Sequence, residues 1–172
     1  AVELAPDDVN AHNNLGVIFE TLNRLEESET ALRQAIALKF DCAEAHANLG
    51  NTLKEMGRLE EAEAALRQAI AFRPDYADAN YNLGNTLKEM GRLEEAEAAL
   101  RQAIAFKPDF AEAHNNLGNM LREAGRLAES ETNLKKALAL KPHYLKAHNN
   151  LGVSLREMGR LEEAEASLRQ AV

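Results

Sequence analysis

AEAHANLGNTLKEMGRLEEAEAALRQAIAFRPDY occupies Ala43 to Tyr76, and the next 34 residues, Ala77 to Phe110, repeat it with five differences. Val9 to Cys42 and Ala111 to Tyr144 are looser copies, and Leu145 to Val172 is a fifth copy cut short. A fixed period of this length marks stacked units that touch only their neighbours, not a globule around one core. Ala1 to Asp8 matches the tail of a copy preceding Val9, so the chain reads as an excerpt of a longer array. Stacked arrays expose long surfaces, which turns the expectation towards binding.

Within Ala43 to Tyr76 the apolar spacing describes two helices. Asp41 reads as an N-cap, with Glu44 three residues later completing a capping box. Ala45, Leu49, Thr52, Leu53 and Met56 recur at three- and four-residue spacing, one buried helical face. Gly57 follows and suits the left-handed conformation that ends a helix. The spacing predicts a second helix from near Glu60, with Leu59 just before it and Ala62, Leu66, Ala69 and Ile70 facing inward. Pro74 closes it and Asp75 reads as the next cap. Leu and Gly recur together at residues 15–16, 49–50, 83–84, 117–118 and 151–152. A glycine in mid-helix costs about 1 kcal/mol against alanine, so close approach of the paired helix is expected there. Glu63 and Arg67 sit four apart, as do Glu29 and Arg33, Glu97 and Arg101, Glu131 and Lys135, and Glu165 and Arg169. Such pairs mark a solvated outer face.

Leu49, Gly50, Leu53, Ala62, Leu66, Ala69 and Pro74, with equivalents in the other copies, resemble the tetratricopeptide repeat family. The likeness spans the whole chain. It departs where the family often has a large aromatic: the place holds His12, His46, Asn80, His114 or His148. Phe40 stands for the closing Pro, Asn23 for the turn Gly, and His143 for the Asp before the last copy. The resemblance implies an all-α fold, an α-solenoid whose helix–turn–helix units form a right-handed superhelix with the first helices on its concave side. The expected organisation is a single array over residues 1–172. Residues 1–8 are the tail of a preceding repeat, 9–42, 43–76, 77–110 and 111–144 are full repeats, and 145–172 is a truncated one.

The chain has 172 residues and a formal net charge of −8, which argues against a nucleic-acid phosphate backbone as the main partner. Apolar stretches are short, as in Ala69 to Phe72, so no membrane span is expected. The single cysteine, Cys42, forbids an internal disulfide and fits a reducing compartment such as the cytoplasm. No signal peptide is visible.

With Ala45, Leu49, Leu53 and Met56 buried, the opposite face of the first helix carries Glu44, Asn48, Asn51, Lys54 and Glu55. Asn48 has counterparts in Asn14, Asn82, Asn116 and Asn150; Asn51 has Asn85 and Asn119, with Val17 and Val153 at the ends. Lys54 has Lys88, Arg122 and Arg156. A side-chain amide offers a donor and an acceptor together, as a peptide backbone does. Helices packed about 8–10 Å apart would meet an extended chain, rising about 3.3 Å per residue, at every third residue. The asparagines are therefore expected to hold a partner's backbone, while Lys54, Lys88, Arg122 and Arg156 attract its carboxylates. The neighbouring Asn13, Ala47, Tyr81, Asn115 and Asn149 would supply selectivity. The column is similar to the asparagine ladder of O-linked N-acetylglucosamine transferases, although that likeness covers repeats only. A competing reading gives the asparagines to packing between repeats. The Lys/Arg clamp of tetratricopeptide modules that grip acidic chaperone tails is a poor match, because Asn13, Asn14, Asn48 and Asn82 occupy its positions; Lys146 agrees, but Asn150 replaces an Arg.

No catalytic, metal or cofactor site is expected. Histidines one repeat apart lie on separate helices and cannot converge within about 2.0–2.1 Å of one ion, so they read as seam packing. Glu60-Glu61 and its equivalents sit where they favour a helix dipole. Cys42 has no partner base in the pattern. The reading is therefore a non-catalytic scaffold that binds a protein or extended peptide. The alternatives are a self-assembling or spacer solenoid and the substrate-recognition arm of a larger enzyme such as a glycosyltransferase. Leu161, Leu168 and Val172 on an uncapped last helix suggest end-to-end association between copies.

Overall fold

The computed structural model describes residues 8–171, all of them in helices or short connections. The expectations for Ala1 to Ala5 and for Val172 fall outside that range. Ten helices appear among the described residues: α1 (Val9–Thr21), α2 (Leu25–Leu38), α3 (Ala43–Glu55), α4 (Leu59–Phe72), α5 (Ala77–Glu89), α6 (Leu93–Phe106), α7 (Ala111–Glu123), α8 (Leu127–Leu140), α9 (Leu145–Glu157) and α10 (Leu161–Arg169), with α1 packed on α2, α3 on α4, α7 on α8 and α9 on α10. The chain divides into two compact units, residues 1–96 and 97–172.

Each pair is joined by a left-handed residue. Gly57, Gly91, Gly125 and Gly159 have φ between 74° and 77°, and Asn23 takes φ 56° in their place. Behind Gly57 the amide of Arg58 donates to Leu53 O at 2.9 Å and that of Gly57 to Lys54 O at 2.8 Å, satisfying carbonyls the helix end leaves open. The mid-helix glycines serve close approach. A Cβ on Gly50 would lie 2.6 Å from Leu66 Cγ, and one on Gly118 would lie 2.7 Å from Leu134 Cγ. The fully buried leucines of the second helices fill the space that glycine leaves on the first.

In the first unit, Leu32, Leu49, Leu53, Ala62 and Ala65 form one core cluster, and Ala47, Ala69 and Ala79 another. In the second, Leu134, Leu151, Leu155 and Ala164 play the same part. Buried hydroxyls pair within these seams: Ser28 Oγ donates to Gly16 O at 2.8 Å and lies 2.9 Å from Thr52 Oγ1. Ser130 and Ser154 repeat the hydroxyl pair at 2.9 Å. Thr86 faces an alanine position instead and donates to its own helix at Asn82 O. A hydroxyl buried without a partner is costly, and each of these has one.

Two expectations are corrected. Asp41 and Asp75 are not caps, and no capping box forms: α3 and α5 start from Cys42 and Tyr76, with no side-chain cap hydrogen bond. The segments Lys39 to Cys42 and Arg73 to Tyr76 are instead β-turns, closed by Cys42 N–H to Lys39 O at 3.2 Å and Tyr76 N–H to Arg73 O at 3.1 Å. Pro is at home in the second position of such a turn, which places the aspartate third, one residue short of the cap. α1, by contrast, has a side-chain cap in Asp8, which accepts from the amides of Asn10 and Ala11.

The charged row on the second helices is the other correction. All five four-apart pairs form, but four of the five glutamates are largely shielded from solvent. Side-chain exposure is 12% for Glu29, 14% for Glu63, 23% for Glu97 and 15% for Glu131, against 64% for Glu165. The arginine after the next turn glycine covers each of the four. Arg58 reaches Glu29 at 2.7 Å, Arg92 reaches Glu63 at 2.5 Å, Arg126 reaches Glu97 at 2.8 Å and Arg160 reaches Glu131 at 2.7 Å. Each of these arginines also grips its own helix, at Glu61, Glu95, Glu129 and Glu163 respectively. Burial would raise the Glu63 carboxyl, yet Arg67 and Arg92 together hold it below its ordinary value. The row fastens one repeat to the next.

Candidate functional site

In each unit the first helices carry the predicted residues on a polar face. In the first unit, Asn14 is exposed and Asn48, Asn51, Asn82 and Asn85 are half-buried. Asn48 Nδ2 donates to Asn13 Oδ1 on α1 at 2.9 Å, and Asn51 Nδ2 donates to Glu20 Oε1 at 2.9 Å. Asn82 has Ala47 where Asn48 has Asn13. Its carbonyl accepts from Thr86, and its side-chain amide bonds to no other described residue. Lys54 Nζ pairs with Glu55 at 3.0 Å and keeps 18% exposure. Tyr81 and Lys88 are half-buried beside this face.

In the second unit, Asn150 Nδ2 donates to Asn115 Oδ1 at 2.9 Å, as Asn48 does to Asn13. Asn115 Nδ2 in turn reaches Asn116 Oδ1 at 3.1 Å. Asn119 donates to Glu123 at 2.8 Å and accepts from Arg122 at 3.1 Å. Arg122 also bonds Glu157 at 2.9 Å. Arg156 and Asn149 are exposed.

The amide column is thus not uniform. Asn48 and Asn150 bridge repeats, because the residue before the column asparagine one repeat earlier is itself Asn. Asn14 is exposed, and the half-buried Asn82 amide bonds to no other described residue. In the basic row, Lys54 and Arg122 face carboxylates of their own face and Arg156 is exposed. Glu20 went unnoticed in the sequence. It occupies the Lys54 position one repeat earlier, a sign reversal visible once the copies are superposed from Val9.

The histidine column has a structural task. His46 Nε2 lies 2.8 Å from Phe40 O, His114 Nε2 3.2 Å from Pro108 O, and His148 Nε2 2.8 Å from Pro142 O. A carbonyl only accepts, so Nε2–H donates and ties the preceding turn to the first helix. Phe40 and Phe72 pack edge-on at 5.3 Å beside His46. Among the described residues no group of three His, Cys, Asp or Glu side chains could share a metal ion, and no helix is long and apolar enough to cross a membrane.

Antiparallel helix pairs, glycine-turned and locked through alanine and leucine seams, define a helical-repeat protein whose polar first-helix face is its distinctive surface. The chain belongs to the tetratricopeptide repeat family: models described as TPR repeat match residues 50–91 and 84–121, and models described as tetratricopeptide repeat match residues 109–172 and 9–42. No curated protein matches the chain by sequence. Solved structures share the fold, an α-solenoid of helix–turn–helix units. MamA residues 41 to the end from Desulfovibrio magneticus RS-1 aligns with TM-score 0.82 at 20% identity, covering 95% of this chain and 92% of that one. PilF of Pseudomonas aeruginosa aligns with TM-score 0.85 at 23% identity, over 95% and 76%. YrrB, described as a TPR protein with an unusual peptide-binding site, aligns with TM-score 0.75 at 23% identity, over 99% and 88%.

Proposed function

We propose that the chain is a non-catalytic interaction scaffold that holds an extended segment of a partner protein against its first-helix faces. The observation that carries this reading is the Asn82 side chain, an amide on the polar face that bonds to no other described residue. A partly exposed amide that bonds to no other residue keeps its donor and acceptor for solvent or a ligand, and a peptide backbone supplies the matching acceptor and donor. Asn14 offers the same at α1. Asn48 and Asn150 each retain capacity beyond their inter-repeat bond, since an amide nitrogen has two hydrogens and its oxygen two lone pairs. Asn51 and Asn85 assist on the first unit's face and Asn116 and Asn119 on the second's, and Tyr81 offers an aromatic surface on the first. Lys88 and Arg156 continue the basic row towards partner carboxylates. YrrB, with this fold and a described peptide-binding site, is a precedent for the use of such a face.

Packing is the second reading. The Asn48–Asn13 and Asn150–Asn115 bonds favour it for those residues. The test is a display selection of random peptides on the chain and on a triple Asn48→Ala, Asn82→Ala, Asn116→Ala variant. Peptides retained by the parent and lost by a variant of unchanged helicity support groove binding. Peptides kept by the variant, or none retained by the parent, refute it and leave packing or spacing as the role.

A further inference from the structure

We propose that the first-helix face of residues 1–96 selects a segment bearing a lysine or arginine, and that Glu20 reads it; this rests on the groove-binding reading above. Where α3 and α5 present Lys54 and Lys88, α1 presents Glu20. The Glu20 side chain is half-buried, accepts a hydrogen bond from Asn51 at 2.9 Å, and forms no ion pair among the described residues. The cation nearest in the row, Lys54, turns to Glu55 at 3.0 Å instead. One ammonium therefore serves two carboxylates, and a negative charge is left over on the face that would hold the segment. Burial pushes the Glu20 carboxyl up from its ordinary value and the Glu55 charge adds to this, against hydrogen bonding by Asn51 and Thr52 and the Lys54 charge.

The rest of the face leans the same way. Glu44, Asp78, Glu55 and Glu89 join Glu20 against Lys54 and Lys88, with Arg73 reaching Glu44 at 3.3 Å from the neighbouring turn. In the second unit the corresponding rows carry Lys146, Arg122 and Arg156 against Glu112, Glu123 and Glu157, a balanced set. A guanidinium or ammonium from the bound segment completes the Glu20–Lys54–Glu55 group. An acidic side chain there adds like charge to a carboxylate already short of solvent. Complementarity of this kind sets specificity and salt dependence more than raw affinity. A free divalent cation is a poor occupant, since calcium takes about six to eight oxygen ligands.

The test uses a phage-displayed library of random twelve-residue peptides, selected on the full chain, Glu20→Gln, Glu20→Lys, and an Asn48→Ala, Asn82→Ala variant. Glu20→Gln keeps an acceptor for Asn51, and Glu20→Lys installs the residue that the next two repeats carry, so both variants retain the parent's helical circular dichroism. The expected result is enrichment of Lys and Arg on the parent, reversed towards Asp and Glu on Glu20→Lys. Synthesised winners should bind Glu20→Gln about fivefold more weakly at low salt, with the gap closing as salt rises. Peptides that ignore both Glu20 substitutions but are lost on the asparagine variant would overturn the basic preference and leave groove binding standing. Peptides that also bind the asparagine variant, or no peptides on the parent, would overturn both.

Discussion

The second-helix edge and the first-helix face handle charge in opposite ways. On the edge, Glu29, Glu63, Glu97 and Glu131 each have one cation four residues on and a second from the following repeat, and little solvent. On the face, Glu20 has hydrogen-bond donors in Asn51 and Thr52 but no ion pair among the described residues, and the Asn82 amide bonds to none of them. The edge is the same from repeat to repeat because it does the same thing each time, joining neighbours. The face differs from repeat to repeat, through Asn13, Ala47, Tyr81 and through Glu20 against Lys54. Saturated, repeated contacts fasten an array; unsaturated, varied ones are available to a partner.

If that contrast is right, the largest stability losses come from the seam beneath the edge. Leu66→Ala removes a fully buried side chain and should lower unfolding free energy by about 2–5 kcal/mol in urea titrations. Gly50→Ala pushes a methyl against Leu66 and lies 3.1 Å from Ala62 O. It should cost about 1–3 kcal/mol despite alanine's better helix propensity.

The edge itself comes next. Glu63→Gln should lose about 1 kcal/mol, less at high salt, whereas Glu165→Gln should stay within about 0.5 kcal/mol. The pH dependence follows from the carboxyls that Arg and Lys hold below their ordinary value at Glu63, Glu97 and Glu131. Their stabilisation is complete above the unfolded glutamate value of about 4.3 and is lost as pH falls through the lower folded values. Glu20, raised in the fold, has the opposite sign: its ionised form costs stability at neutral pH, and that cost disappears on acidification. Thermal melts of the parent and Glu63→Gln between neutrality and acid should therefore converge as pH falls. Parallel curves would contradict the edge account.

Smaller still is the effect of the caps. Asp8→Ala should cost about 1 kcal/mol, through the loss of two amide contacts at α1. Asp41→Ala should stay within about 0.5 kcal/mol, since Asp41 caps nothing. On the face, Asn82→Ala should leave stability unchanged within the same margin. Asn48→Ala should lose up to about 1 kcal/mol with its bond to Asn13. Equal losses at the two asparagines would erase the distinction between bridging and non-bridging amides.

Most of the fold was legible because period, glycine and small-residue spacing are one-dimensional signals. The left-handed Asn23, the glycine turns and the Leu-Gly close approach all follow from residue size and φ preference. The caps were not legible, because aspartate favours both a helix N-cap and a tight turn. Only the backbone of Arg73-Pro74-Asp75-Tyr76 decides between them. The edge was half legible. Glu63 with Arg67 is visible within a helix, but Arg92 reaches Glu63 from 29 residues away. Its recurrence after every turn, at Arg24, Arg58, Arg92, Arg126 and Arg160, was the available signal. The asparagine column could be placed on a face from its spacing. Which amides bridge repeats depends on what lies one repeat earlier, Asn13 or Ala47, and that requires the stacking register.

The most direct measurement is an NMR titration of the isotope-labelled chain with a peptide recovered from the display selection, following side-chain amide signals. The account predicts that the Asn14 and Asn82 amide resonances move on binding, while Gln68 and Gln102 on the second helices stay in place. Movement confined to the second-helix glutamines, with Asn82 unchanged, would contradict it.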